Sequence, residues 1–194
     1  MNLSRSTDPF QSEIFSKKSV ENKKIAYQLF FDCEFRDCNF SYTDFESTLF
    51  EDCRFINCNF SLTKMLRTQF RGVIFNNCKI MGVDFTKCDT LMIDFSMDEC
   101  KIKNCLFSNL NLKKCNFYKS EVMESDFVNT NLSGSNLSES NFSGSLFHNT
   151  NLFKVNLIKS INYNINPLKN NIKEADFSLP EAMTLLNAFQ ITIQ

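Results

Sequence analysis

The chain of 194 residues has no tryptophan, one histidine, three prolines and four glycines. Each scarcity closes a class of chemistry. A lone His148 supplies neither a catalytic triad nor a histidine metal cluster. Gly72, Gly82, Gly134 and Gly144 stand apart from one another, so they read as turn residues and form no phosphate-cradling loop. Long apolar runs are missing too, and no segment reads as a membrane span. The polar stretch Met1 to Phe10 lacks the apolar core of a secretory leader. Charge of one sign is also lacking. With 21 Lys and Arg against 22 Asp and Glu, the net charge of −1 signals neither direct nucleic-acid binding nor imitation of a polyanion. The length suits one domain. Nine cysteines without a secretory leader point to a reducing compartment, so a cytoplasmic location is expected.

Phenylalanine, by contrast, is abundant at 22 residues. From Phe30 to Phe95 every fifth position is apolar in 13 of 14 cases, and 11 of these are Phe; Thr90 is the exception. From Ile102 to Phe177 the same step holds in 14 of 16 cases, failing at Asn162 and Pro167. Between the two blocks the register moves by two residues, a break assigned to Asp98 and Glu99. All nine cysteines lie two residues before a centre, where the other occupants are mainly Ser, Thr, Val and Ala.

A step of five matches neither a helix at 3.6 nor a flat strand at 2. It matches a side of three residues pointing in, out and in, followed by a two-residue corner. Four sides close a coil of 20 residues, and stacked coils pair as parallel ladders ~4.8 Å apart. Positions 20 apart then form columns. One column reads Cys38, Cys58, Cys78, Cys100, Ser120, Ser140, Ser160, and another reads Phe35, Phe55, Phe75, Phe95, Phe117, Leu137, Leu157, Phe177. The expected fold is therefore all-β: a right-handed, four-sided parallel β-helix solenoid of about 8 coils, with a short C-terminal α-helix and strand.

Three regions follow. Residues 1–27 read as an N-terminal cap and irregular first coil, because Asp8, Glu13, Lys18 and Lys23 occupy the second inward position. Residues 28–179 form the repeat, with the side near Pro167 distorted by the missing N–H. Residues 180–194 read as a helix and strand: Ser178 and Glu181 have the spacing of a capping box, and Pro180 stands in the first turn. Its apolar residues Ala182, Leu185, Leu186, Phe189, Ile191 and Ile193 are the expected face of a two-fold dimer.

Catalytic and metal chemistry find no seat. Cysteines at steps of five and 20 lack the short spacing of zinc knuckles and read as small buried hydrophobes. Outward Asp and Asn recur in most coils and belong to the repeat. No enzyme activity, cofactor or metal is expected. What remains is surface. Asp32 to Asp52, Asp84 to Glu99 and Glu121 to Phe153 are mainly acidic, while Arg54 to Lys79 and Lys101 to Lys119 are basic, so the rod is expected to carry alternating belts. Glu121, Glu124, Asp126 and Glu139 form the candidate acidic partner surface.

Three segments carry a closer resemblance: Phe30 to Phe35 (FFDCEF), Gly72 to Phe85 (GVIFNNCKIMGVDF) and Glu181 to Ile193 (EAMTLLNAFQITI). With the five-residue step, they resemble the quinolone-resistance pentapeptide-repeat proteins, the Qnr group, and their loop-free relatives. The resemblance implies a homodimeric rod, joined through the C-terminal helix and strand, that binds DNA gyrase or topoisomerase IV as a mimic of duplex DNA and alters its activity or quinolone sensitivity. Gln190 departs from the glycine common before the family's last strand. The alternative is a structural or scaffold solenoid that binds another protein.

Overall fold

The computed structural model describes residues 8–91 and 93–191. They form a four-sided solenoid of about eight coils, held by parallel pairing between residues one coil apart. Face 1 begins with Phe10–Gln11, Leu29–Phe31, Leu49–Glu51 and Gln69–Arg71, paired in that order. Face 2 begins with Ile14–Ser16, Glu34–Arg36, Arg54–Ile56, Val73–Asn76 and Phe95–Asp98. Face 3 holds Lys79–Met81, Lys101–Lys103 and Glu121–Met123, and face 4 is stitched by single bridges such as Asp44↔Lys64 and Leu106↔Asp126.

Each coil is closed by side-chain chemistry at its corners. The residue two before a centre reaches back to the carbonyl of the preceding side's centre, one coil earlier: Thr43 Oγ1 donates to Val20 O at 2.8 Å, Thr130 Oγ1 to Phe107 O at 2.8 Å, and Cys53 Sγ to Phe30 O at 3.4 Å. A small donor gains a hydrogen bond there, which accounts for the Cys, Thr and Ser columns, while Val73, Val83 and Leu110 fill the same position by packing alone. Corner residues take the left-handed conformation, as at Asp32 and Asn77 (φ 52° and 51°), where Asn and Asp are the best-tolerated non-glycine residues. At Gly72 (φ 60°) a Cβ would lie 2.5 Å from the Asp52 carboxylate of the coil before, so a larger residue there would have to push that side chain aside.

The centres fill the axis. Phe15, Phe35, Phe55 and Phe75 stack at 4.9, 4.7 and 5.1 Å between ring centroids, and rings of adjoining faces meet edge-on, as Phe30 and Phe35 do at 5.4 Å. Offset stacking in a column and edge contact across a corner both satisfy the ring quadrupole. The nine cysteines are free and buried. Burial pushes the thiols of Cys53 and Cys115 up to about 12 and that of Cys105 to about 11, so they stay protonated at neutral pH.

In three places the coils depart from what the sequence predicts. First, the register break lies between Asp89 and Asp94, not at Asp98 and Glu99. Phe95 pairs with Val73 and Met97 with Phe75, so Met97 occupies the centre column assigned to Phe95. Leu91, 88% exposed, stands on the bulge. Both inward positions of a side accept an apolar residue, so step-counting alone could not tell which one Phe95 fills.

Second, Asn162 and Pro167 fail as centres because the last full coil slips. Ile165 pairs with Phe147, Tyr163 and Ile165 are buried, and the turn Asn166–Lys169 takes up the two displaced residues, placing Pro167 outside the ladder.

Third, the coil at residues 8–27 pairs as regularly as its successors. Phe10 lies against Phe30, Phe15 against Phe35, Ser19 against Asn39 and Lys24 against Asp44. Its irregularity is confined to side chains. Asp8, Lys18 and Lys23 are exposed and Glu13 is half-buried, because this position leans toward a preceding coil and none precedes it among the described residues.

Candidate interaction surface

The C-terminal segment covers the other end. A helix stands where expected, at Glu181–Phe189, but it is wound as 3₁₀: Met183 N–H donates to Pro180 O at 3.0 Å and Gln190 N–H to Asn187 O at 3.2 Å. The expected capping box does not form. Ser178 Oγ instead accepts the backbone N–H of Lys159 (2.7 Å), and Glu181 Oε1 accepts that of Asn162 (2.5 Å). These side chains satisfy donors on the open edge of the last coil, so the helix lacks a side-chain cap.

Of the residues assigned to a dimer face, Ala182, Leu185 and Leu186 are half-buried, and Leu185 packs against the solenoid core. Phe189 and Ile191 are exposed, and Ile193 lies outside the described residues. Leu179 (75% exposed), Met183, Ile158, Ile161 and Leu168 add apolar surface at or near this end. The sequence reading missed these five. Ile161 carried a signal, standing at the outward position where Asn and Asp predominate.

The acidic residues are only partly assembled. Glu121 projects from face 3, Glu124 from the next corner and Asp126 from face 4, so these three adjoin; Glu139 sits on the opposite edge of face 3. Two of the four are also ion-paired. Lys103 Nζ lies 3.2 Å from Glu124, Lys159 Nζ lies 3.9 Å from Glu139, and Lys101 stands beside Glu121 in register. Asp126 accepts the N–H of Val128 at 2.8 Å. Belts of alternating sign one coil apart thus meet as exposed ion pairs, each contributing about 0.2–1 kcal/mol. Among the described residues no cluster of His, Cys, Asp and Glu is arranged to hold a metal, and no helix is long and apolar enough to cross a membrane.

The family described as "Pentapeptide repeat region" matches residues 29–102, and "Pentapeptide repeats (8 copies)" matches residues 125–161, together more than half of the chain. The chain is a pentapeptide-repeat protein. No curated protein sequence matches it. Among solved structures, this pentapeptide-repeat protein is similar to a trypsin-treated form of QnrB1, a plasmid-mediated fluoroquinolone resistance protein. The two are 18% identical with a TM-score of 0.85, covering 100% of this chain and 95% of that one. A second trypsin-treated form gives 17% and 0.74 over 96% and 100% of the two chains, and full-length QnrB1 gives 18% and 0.55 over 95% and 100%. At these identities the likeness establishes a shared fold.

Proposed function

We propose that this pentapeptide-repeat protein is a binding rod for a type II topoisomerase, DNA gyrase foremost, and that it changes the enzyme's activity or its sensitivity to quinolones. The observation that carries this reading is the fold likeness to QnrB1 over the whole chain, terminal helix included. Dimensions agree: eight coils at ~4.8 Å make a rod of about 38 Å, and two rods end to end match roughly 22 base pairs at ~3.4 Å. The homodimer is assigned to the C-terminal end, where Leu179, Met183, Phe189 and Ile191 leave apolar surface for a second copy to bury.

Supercoiling by purified gyrase, with and without ciprofloxacin, tests the reading. Micromolar protein is expected either to restore supercoiling in the presence of drug or to inhibit it in its absence. Unchanged supercoiling in both arms would remove the topoisomerase and leave the second reading, a scaffold rod for another protein. The pairing of Glu124 and Glu139 with lysines favours that second reading, because a mimic of a polyanion would leave such groups unpaired.

The dimer is tested separately. Met183→Asp with Phe189→Asp is expected to give a folded monomer by light scattering. Leu185 is left alone because it packs on the core. A dimer that survives both changes would place the interface elsewhere.

A further inference from the structure

Face 1 of the last coils, with the corners on either side, is rich in unused hydrogen-bond donors and nearly free of acid. Two asparagine ladders run along it. On the corner, Asn129 Nδ2 donates to Asn109 Oδ1 at 3.1 Å and Asn149 Nδ2 to Asn129 Oδ1 at 2.8 Å. On the face, Asn131, Asn151 and Asn171 each donate to the amide one coil earlier, starting from Asn111, at 2.9, 3.0 and 2.9 Å. The oxygens of Asn131, Asn151 and Asn171 also accept the backbone N–H of Ser133, Phe153 and Lys173 at 3.1, 3.2 and 3.3 Å. The ladders thus consume acceptors. An amide has two N–H groups and the ladder uses one, so each rung keeps a donor for the outside.

Beside the ladders stand Lys113, Lys114, Lys154 and Lys173, all exposed. Among the described residues no carboxylate pairs with Lys113, Lys114 or Lys173; Lys154 meets Glu174 at 3.3 Å. Gly134 falls between Lys114 and Lys154 in the corner column and leaves a notch of ≈ 260 Å³, lined also by Lys113, Ser133 and Phe153. The Lys154 ammonium lies 5.1 Å from the centre of the Phe153 ring.

We propose that this face docks a short acidic polypeptide segment, its carboxylates on the lysines, its backbone carbonyls on the free amide N–H groups, and one apolar side chain in the Gly134 notch against Phe153. Charge complementarity sets both the class of partner and its length. The same corner column continues toward the N-terminal end as Asp94, Asp52 and Asp32, so the attractive stretch ends after about 15 Å, the span of four or five extended residues. A longer polyanion would run onto those carboxylates. The surface is distinct from Glu121, Glu124 and Asp126 on faces 3 and 4, and it does not depend on a topoisomerase partner.

The test is fluorescence anisotropy with a labelled peptide of alternating Asp and Glu around one central Phe, titrated with the full chain at low salt. Saturable binding is expected. Lys113→Glu with Lys154→Glu should weaken it about tenfold or more, since each reversal replaces an attraction with a repulsion. Lys79→Glu with Lys101→Glu, an equal change in net charge on face 3, should alter it less than about twofold. All four lysines are exposed, and unchanged circular dichroism confirms that the variants fold. No binding, or equal weakening by both pairs, would overturn the proposal. So would a thymidine oligonucleotide that displaces the peptide and binds more tightly, because the face would then serve nucleic acid.

Discussion

Replacing Phe107 by alanine is expected to cost about 3–5 kcal/mol, the range for emptying a buried aromatic site, and to lower the melting temperature by about 10 °C. Phe107 is wholly buried, with its ring stacked between Phe85 and Phe127 at 4.9 Å on both sides and edge-on to Phe117 at 5.7 Å. A rigid column of rings cannot close over the gap, because the coil spacing is set by backbone pairing, as at Leu106↔Asp126. Phe10→Ala supplies the comparison. That ring stacks on Phe30 at 4.9 Å and meets Phe15 edge-on at 5.6 Å, with no ring stacked on its other side among the described residues. It should cost about half as much, since stability in a solenoid sums contacts between neighbouring coils. Urea unfolding followed by circular dichroism measures both. Equal costs would contradict the nearest-neighbour account.

Cys58→Lys is expected to unfold the coils around it. Cys58 and Lys18 share one column, yet Lys18 is exposed while Cys58 is buried, with its thiol donating to Phe35 O at 3.4 Å. A lysine at position 58 would point at that carbonyl inside the coil, with no water within reach and no carboxylate beside it. Desolvating the ammonium costs more than about 4 kcal/mol. Cys58→Ser should stay within about 1 kcal/mol of the parent, because Ser120, Ser140 and Ser160 make the same bond in the same column, at 2.9, 2.5 and 2.6 Å. A Cys58→Lys protein with parental stability in the same urea experiment would show that this position does not point inward.

These two variants also show how much could be read in advance. The four-sided coil was legible because its cause is local. Within one side, alternation decides which residues face in, and the preference for a small donor before each large apolar centre repeats every five residues. Hence Phe at the centres, and Cys, Thr and Ser two residues earlier, could be assigned without coordinates. So could the place of the corners, whose left-handed conformation at Asp32 and Asn77 the structure adds. The terminal helix was legible in place but not in capping, because Ser178 and Glu181 bond to the edge of the coil and not to the helix.

The sequence by itself determined the side, the corner, the coil and the burial of every cysteine. Only the tertiary structure decided which coil residue meets which. It moved the break to the Leu91 bulge, put Met97 and not Phe95 over Phe75, and slipped Ile165 under Phe147. It turned separate charge belts into ion pairs such as Lys103–Glu124 and gathered seven asparagines and four lysines along face 1 and its corners. The physical reason is one of range. Inward and outward are set by neighbours one or two residues away, whereas register between coils is set by backbone hydrogen bonds some 20 residues apart. Two extra residues can be absorbed at any corner that lets them bulge.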